Sequence, residues 1–486
     1  MKSFLSLIFG CMFLSFFSAD KREGPPSIES PNIIILLADD LGYGDLGAYG
    51  GEALTPNLDK LAASGIRFTD FYAAAPNCSP SRAGLMSGRS PSVIGVYNYL
   101  PARHPMHMRS EVVSIAEILK QNGYQTGVFG KWHLSDLIPN EDDKQPSPHD
   151  QGFDHFFATK NNAQPSHLNP VNFVRNGVKV GKQEGYSCDI VVSEALDWLG
   201  EKEQDVPYFL YVPFHEPHKK VASPPELVGK YLDKHDNQNA EYLANVENMD
   251  RAIGKLLAGL EEKGLDKNTF ILFASDNGSY RKGSNGELLG GKSFVYEGGI
   301  RVPGIMSWKG GIEPGQEISE PAGLVDMMPT ICELIGVQHP APEQLAGTSL
   351  KPLLMGENFI RDKPLSWFFY RTFPEMAMRM GNYSVLGSSP DTSLHTHPFS
   401  APDMDHIKSL KLEGFELYDL ASDLSQTKDV FGKNEKLADS LRKQLLIRFK
   451  EIQEAGYVWE HLPEVGKKAR KKRSEWRKLR PEGFSN

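Results

Sequence analysis

Cysteine is scarce in this chain: four in 486 residues, at positions 11, 78, 188 and 332. Domains stapled by disulfides carry a far higher share, so burial of apolar surface must hold this protein together. Cys11 falls in an apolar leader and Cys78 in the motif discussed below. Only Cys188 and Cys332 remain to pair, and two unconnected buried thiols are expected there. An excess of positive charge is also missing. Lys and Arg total 53 against 62 Asp and Glu, a net charge of −9, which argues against a nucleic-acid partner. Basic residues gather instead at the C-terminus, as Lys467, Lys468, Arg470, Lys471, Lys472, Arg473, Arg477, Lys478 and Arg480. Residues 461–486 therefore read as a solvated basic tail, with attraction to an anionic polysaccharide as the sharper expectation. The apolar run Phe4 to Phe17 is too short to span a bilayer. Preceded by Lys2 and followed by Ser18-Ala19, it reads as a secretory signal over residues 1–19. That reading predicts a secreted or periplasmic protein with no stable membrane insertion once the signal is removed. The sequence contains no internal repeat.

What is present is a series of short apolar runs alternating with helical patterns. Asn32 to Ala38 is continuous and rich in branched residues, the pattern of a strand buried on both faces. Strands are also predicted at Ile66 to Tyr72, Thr126 to Phe129, Tyr208 to Pro213, Thr269 to Ser275 and Val302 to Trp308. Helices are predicted at Thr55 to Ser64, Ser110 to Gln121, Ile190 to Leu199, Tyr242 to Leu260 and Val325 to Ile335. The alternation predicts an α/β fold, a mostly parallel sheet flanked by helices. Residues 139–170, polar and proline-containing, read as a long loop. Beyond about 360 the pattern changes. Leu365 to Tyr370, Met376 to Leu386 and Phe415 to Leu420 predict a short antiparallel sheet, with a helix at Glu435 to Glu454. The expected organisation is a large catalytic domain over 28–360 and a smaller α+β domain over 361–460.

Four polar sets directly follow predicted strands: Asp39 and Asp40, Lys131 and His133, His215 and His218, Asp276 and Asn277. In open α/β sheets the carboxyl ends of the strands form the ligand crevice, so these residues should meet at one edge. Asp39, Asp40, Asp276 and Asn277 offer oxygen atoms alone, which suits a hard cation such as Ca²⁺ or Mg²⁺ and suits zinc poorly. Cys78-Ser79-Pro80-Ser81-Arg82 adds a cysteine just before a proline. Proline is tolerated in a first helical turn, so Cys78 should open a helix, where the exposed N–H groups and the dipole favour anions. Arg82, one turn on, shares its face.

Cys78 to Arg89 resembles the sulfatase family, whose Cys-Xaa-Pro-Ser-Arg signature is matched in full. Gly-Lys-Trp-His at 130–133, His-Glu-Pro-His at 215–218 and the Gly-Gly-Lys-Ser block carrying Lys292 extend the resemblance. It implies an alkaline-phosphatase-like fold with the smaller C-terminal domain. It also implies that a maturation enzyme oxidises Cys78 to formylglycine (3-oxoalanine), whose hydrate is the nucleophile. Asp39, Asp40, Asp276 and Asn277 would then bind calcium, with magnesium as the alternative, together with residue 78. Arg82 would brace the hydrate and Lys131 would bind a sulfate oxygen. His133 would be the base that helps expel sulfate. Either His218 or Lys292 would protonate the leaving alcohol, and His215 would touch the sugar or simply cap a loop. Lys220 departs from the proline that many members of the family carry two places after the leaving-group histidine. The implied activity is removal of sulfate from a sulfated sugar or polysaccharide, with galactose or N-acetylgalactosamine units as candidates. Two rival expectations are a phosphoester hydrolase of the same fold and a silent glycan-binding protein, the latter if Cys78 is not matured.

Overall fold

A computed structural model describes residues 30–462 apart from 102, 139–144, 204, 281, 391–393 and 397–398, together with 470–472. The expected signal peptide and most of the basic tail lie outside the described residues. Ten strands form the main sheet: β1 (Asn32–Ala38), β2 (Ile66–Phe68), β3 (Gln125–Lys131), β4 (His155–Thr159), β5 (Phe173–Arg175), β6 (Val178–Gly181), β7 (Tyr208–Pro213), β8 (Thr269–Ser275), β9 (Gly304–Trp308) and β10 (Gln316–Ile318). Their spatial order is β10-β2-β9-β8-β1-β7-β3-β4-β5-β6. The central five, β8, β1, β7, β3 and β4, are parallel throughout. Antiparallel pairings join β9 and β5 at either side.

The continuous apolar run of β1 is explained by what covers it. Ile33, Ile35 and Leu37 face one core, and Ile34, Leu36 and Ala38 face another, because side chains alternate across a strand. The second core is closed by α1 (Pro56–Ala63), α4 (Ser187–Glu201) and α5 (Asn237–Glu262), through residues such as Leu58, Val191 and Met249. On the first face lie α2 (Cys78–Ser87), α3 (Ile115–Gln121) and α6 (Met327–Leu334), through Ala83, Ile118 and Ile331. This is a three-layer α/β/α arrangement. Four further strands, β11 (Leu365–Phe368), β12 (Met376–Met380), β13 (Tyr383–Ser388) and β14 (Gly414–Asp419), form a wholly antiparallel sheet. One face of that sheet joins the main core through Leu365, Trp367, Ala377 and Leu386. The other packs under α7 (Glu435–Ala455) through Leu441, Leu445 and Phe449.

Several sequence readings need correction. The stretch 139–170 contains strand β4; the run His-Phe-Phe-Ala-Thr is short and sits between Asp154 and Lys160, which disguised it. The predicted strand Ile66 to Tyr72 is two, broken at Thr69 and Asp70, because Asp70 turns inward to pair with Arg301 and Arg379. The helix predicted from Ser110 starts at Ile115, where Ser114 and Glu117 form a reciprocal cap. Met376 to Leu386 is a hairpin rather than one strand. The unread stretch 387–410 contains a helix at Ala401–Ser409. Within the tail, Arg470–Lys472 pairs with Leu394–Thr396 as an antiparallel ladder. Cys188 and Cys332 are separate buried thiols, as is Cys78. Among the described residues no helix is long and apolar enough to cross a membrane.

Candidate active site

Strand register brings the chemistry together. Ala38 pairs with Ser275, Leu37 with Pro213, and Lys131 with Thr159. The carboxyl ends of five parallel strands therefore lie level, and the polar residues that follow share one crevice. Asp39 and Asp276 continue neighbouring strands, tied by a bond from the Asp276 N–H to the Ala38 carbonyl. The next residue, Asp40, turns into the left-handed region at φ 65°, a strained conformation that Asp adopts more readily than most residues. Its N–H donates to Asp276 Oδ1 at 3.1 Å.

Cys78 is the first residue of α2, as its proline predicted. One ligand atom from each of Asp39, Asp40, Cys78 and Asp276 fits within a group 4.8 Å across, all of it buried. Three cations surround these acids. Lys131 Nζ donates to Asp39 at 2.7 Å. Arg82 sends Nε and a terminal nitrogen to Asp276 Oδ2 at 2.9 and 2.7 Å, and its other nitrogen to the Lys131 carbonyl at 2.9 Å. Lys292 Nζ lies 2.5 Å from Asp40 Oδ1 and 3.0 Å from Cys78 Sγ. Asn277 Nδ2 also donates to Asp40 Oδ1, at 2.8 Å.

Two oxygens break the pattern. Asp39 Oδ1 and Asn277 Oδ1 are buried without a hydrogen-bond partner. An orphaned buried acceptor is costly, and here both belong to one cluster of hard oxygen donors. A divalent oxygen-seeking cation would satisfy them and relieve the crowding of three carboxylates, so the residues present fit a hard cation of the Ca²⁺ or Mg²⁺ type. Crowding and burial act on the acids themselves. Burial with Asp39 and Asp40 nearby pushes Asp276 up to about 6, against the pull of Arg82. Burial also opposes ionisation of Asp39, but Lys131, His218 and Arg82 hold it well below the usual carboxylate range.

Burial pushes the Cys78 thiol up to about 12, against the opposing pull of Lys131 and Lys292. An unmodified Cys78 is therefore a neutral thiol at neutral pH, and it is the thiolate that attacks.

The histidines differ in what holds them. His133, at φ 55°, bonds through Nε2 to the Leu100 carbonyl at 3.1 Å. A carbonyl can only accept, so Nε2 carries the proton and Nδ1, buried and unpartnered, keeps its lone pair. Burial, with Lys131 and Arg82 adding to it, drives its pKa well below the usual value, so the ring is a free base. His218 donates from Nδ1 to the Lys219 carbonyl at 2.7 Å, which leaves Nε2 facing Asp40 at 3.5 Å. Burial lowers its pKa to about 4. His215 stands apart from the charge cluster. It is fully buried and bonds through Nε2 to Thr159 Oγ1 at 2.7 Å, with Nδ1 unpartnered.

Sequence reasoning missed Thr159, at the end of the overlooked strand β4, and Asp45. Asp45 accepts from the N–H of Gly42 and of Ser284, both at 2.7 Å, and from the Tyr242 hydroxyl at 2.6 Å. It thereby joins the loop leaving Asp40 to the loop leaving Asn277. These loops touch so closely that a Cβ at Gly42 would lie 2.2 Å from the Ser284 carbonyl oxygen. Only the Asp39-Asp40 … Asp45 spacing could have hinted at it.

Fold and site together define a hydrolase acting on an anionic ester, built around an oxygen-lined cation pocket at a parallel-sheet edge. Comparison with known proteins names the family. The sulfatase profile matches residues 31–337, and the profile of the N-sulphoglucosamine sulphohydrolase C-terminal region matches 289–455. N-acetylgalactosamine-6-sulfatase of Rattus norvegicus is 33% identical over 392 residues, covering 74% of this chain and 71% of that protein. Arylsulfatase A of Homo sapiens is 34% identical over 435 residues, covering 83% of each. The solved structure of Ps i-CgsB with k-i-k-neocarrahexaose superposes with a TM-score of 0.77 at 27% identity, covering 90% of this chain and 96% of that one. A PsFucS1 sulfatase from Pseudoalteromonas sp. superposes at 0.70 with 25% identity, covering 89% and 92%. The chain belongs to the sulfatase family and is a sulfuric ester hydrolase with that family's fold.

Proposed function

We propose that this protein removes sulfate from a sulfated carbohydrate, with Cys78 carried as formylglycine and a calcium ion held by Asp39, Asp40, Asp276, Asn277 and residue 78. Magnesium is the competing ion. One observation carries the reading: two unpartnered buried oxygens, Asp39 Oδ1 and Asn277 Oδ1, within a cluster of acids that closes on Cys78. Sugar substrates are supported by the relatives, one named for N-acetylgalactosamine 6-sulfate chemistry and one bound to a neocarrahexaose.

When present, the cation supplies positive charge toward sulfate oxygens and the formylglycine hydrate supplies the nucleophile. The chain's own residues do the rest. Lys131, fully buried, and Lys292, partly buried, bind sulfate oxygens with their ammonium groups. Arg82 fixes Asp276 and the Lys131 backbone at once, so ligand and sulfate binder keep a constant spacing. His133 accepts through its free Nδ1 the proton that residue 78 gives up. His218 turns Nε2 toward the bridging oxygen of the leaving alcohol. That nitrogen carries a proton only in the doubly protonated ring, so the proton the oxygen needs comes from Lys292 or from His218 in that charged form. His215 offers Nδ1 to the sugar. Transfer of an anionic group needs mainly positioning and preorganised charge, and this crevice offers both. We assign the chemistry to residues 28–360 and the support of its rim to 361–460, with export directed by the leader at 1–19.

Peptide mass spectrometry of the secreted protein tests the reading. The peptide containing residue 78 should have lost its sulfur, and 4-nitrophenyl sulfate should be turned over far faster than 4-nitrophenyl phosphate. An intact thiol in active protein, or preference for the phosphate, would overturn it.

A further inference from the structure

Lys219 lies outside every role assigned above, in a place where its charge is unanswered. It follows His218, whose Nδ1 bonds to the Lys219 carbonyl at 2.7 Å, so it sits on the side where the alcohol departs. Its side chain is exposed, and among the described residues no carboxylate lies within ion-pair distance of it. The Lys219 ammonium lies 5.8 Å from the centre of the Tyr280 ring. The partly buried Lys292 ammonium, which touches Cys78 Sγ, lies at the same 5.8 Å from that ring. Tyr280 is therefore within reach of both a cation in the reaction centre and an exposed one beside His218. A ring face attracts an ammonium group, which biases a flexible lysine toward one position. What sets Lys219 apart from other exposed lysines is its place beside His218 and Tyr280 at the reaction centre.

Resting on the sulfatase reading, we propose that Lys219, positioned by Tyr280, forms a subsite for a second anionic group on the leaving-group side of the substrate. The chain would then favour carbohydrates that carry a further sulfate or a carboxylate beyond the sulfate being removed. Lys219 takes no part in bond breaking; it selects. Lys220, also exposed and without an ion pair among the described residues, extends the same positive rim.

The test compares kcat/KM for two defined probes, galactose 6-sulfate and a sulfated disaccharide with one sulfate on each sugar. Lys219→Ala should lower the disulfated-to-monosulfated preference about threefold to fivefold through KM, the size of one partly exposed ion pair. Lys219→Glu should lower it further, Lys219→Arg should restore it, and Tyr280→Phe should keep more of it than Tyr280→Ala. Raising salt should erode the wild-type preference, leave that of Lys219→Ala nearly flat and raise that of Lys219→Glu. Lys309→Ala, an exposed lysine paired with Asp266 away from the site, is the control and should match wild type. An unchanged preference in Lys219→Glu, with wild type active on both probes, would overturn the subsite and leave the sulfatase reading intact. Wild type inactive on both probes and on 4-nitrophenyl sulfate would overturn that reading and this proposal with it.

Discussion

Two buried charge clusters in this protein look alike in composition and differ in how their charges are answered. The first surrounds Cys78. The second lies where the small antiparallel sheet meets the large one, and joins Asp70, Glu297, Arg301, Arg379 and Tyr72. There Arg301 pairs with Asp70 and, at 3.2 Å, with Glu297, while its Nε donates to the Thr69 carbonyl. Arg379, on β12, reaches Asp70 at 2.8 Å, and the Tyr72 hydroxyl donates to Glu297 at 2.9 Å. In that cluster the buried atoms without a partner are donors, Arg379 Nε and one terminal nitrogen, and no carboxylate oxygen of Asp70 or Glu297 is among them; at Cys78 they are acceptors, Asp39 Oδ1 and Asn277 Oδ1. The difference separates a lock from a site. Buried charges that answer one another hold elements together; acceptors that the chain leaves open invite a ligand.

The largest effect should come from the open cluster. Asp39→Ala or Asp276→Ala should reduce kcat by at least about 10³-fold, the scale of losing preorganised electrostatic stabilisation, with circular dichroism unchanged. Turnover retained in metal-stripped buffer would break the comparison. Removing one partner from the closed cluster should act on stability. Arg301→Met leaves Asp70 and Glu297 without their shared cation and should cost about 3–5 kcal/mol in unfolding free energy, with little change in KM for what remains folded. A variant as stable as wild type would show that the lock does not hold.

Asp45 falls between the two cases, because it is closed itself but positions open ligands. Asp45→Ala should weaken calcium affinity about 10–100-fold, the usual range for groups behind a metal's ligands, as read by isothermal titration calorimetry. Asp45→Asn should recover part of that loss. The smallest effect concerns pH. Burial, opposed by three donors, raises Asp45 to about 6. The folded protein therefore takes up a proton between pH 6 and the unfolded carboxyl's value near 3.8, and the unfolded chain does not. Asp45 thus favours folding more as pH falls through 6, and the advantage disappears as pH rises past it. Urea unfolding of metal-free wild type against Asp45→Asn should show wild type gaining relative stability from pH 7.5 to pH 5. The opposite slope would contradict the assignment.

Much of this was legible in the sequence, for identifiable reasons. Strands such as Asn32–Ala38 are continuous apolar runs because both faces are covered, so their ends could be located and the polar residues after them gathered. Cys78 could be placed at a helix start from Pro80 alone. What stayed hidden depends on contacts between distant segments. Thr159 was concealed because β4 is five residues long and bounded by charge. Asp70 interrupts a run that reads as one strand, and its reason, Arg301 and Arg379, lies more than two hundred residues away. Asp45 looks like a turn residue until Ser284 is seen beside it. The orphaned oxygens exist only in three dimensions, since nothing in the letters distinguishes Asp39 from Asp70.

Metal content by mass spectrometry of the purified, dialysed protein, wild type beside Asp39→Ala, addresses that last distinction most directly. One calcium per chain in wild type, lost in the variant and restored by no other cation at equal concentration, is the predicted result. A wild-type protein that binds no divalent cation at millimolar calcium, yet hydrolyses sulfate esters after chelation, would contradict it.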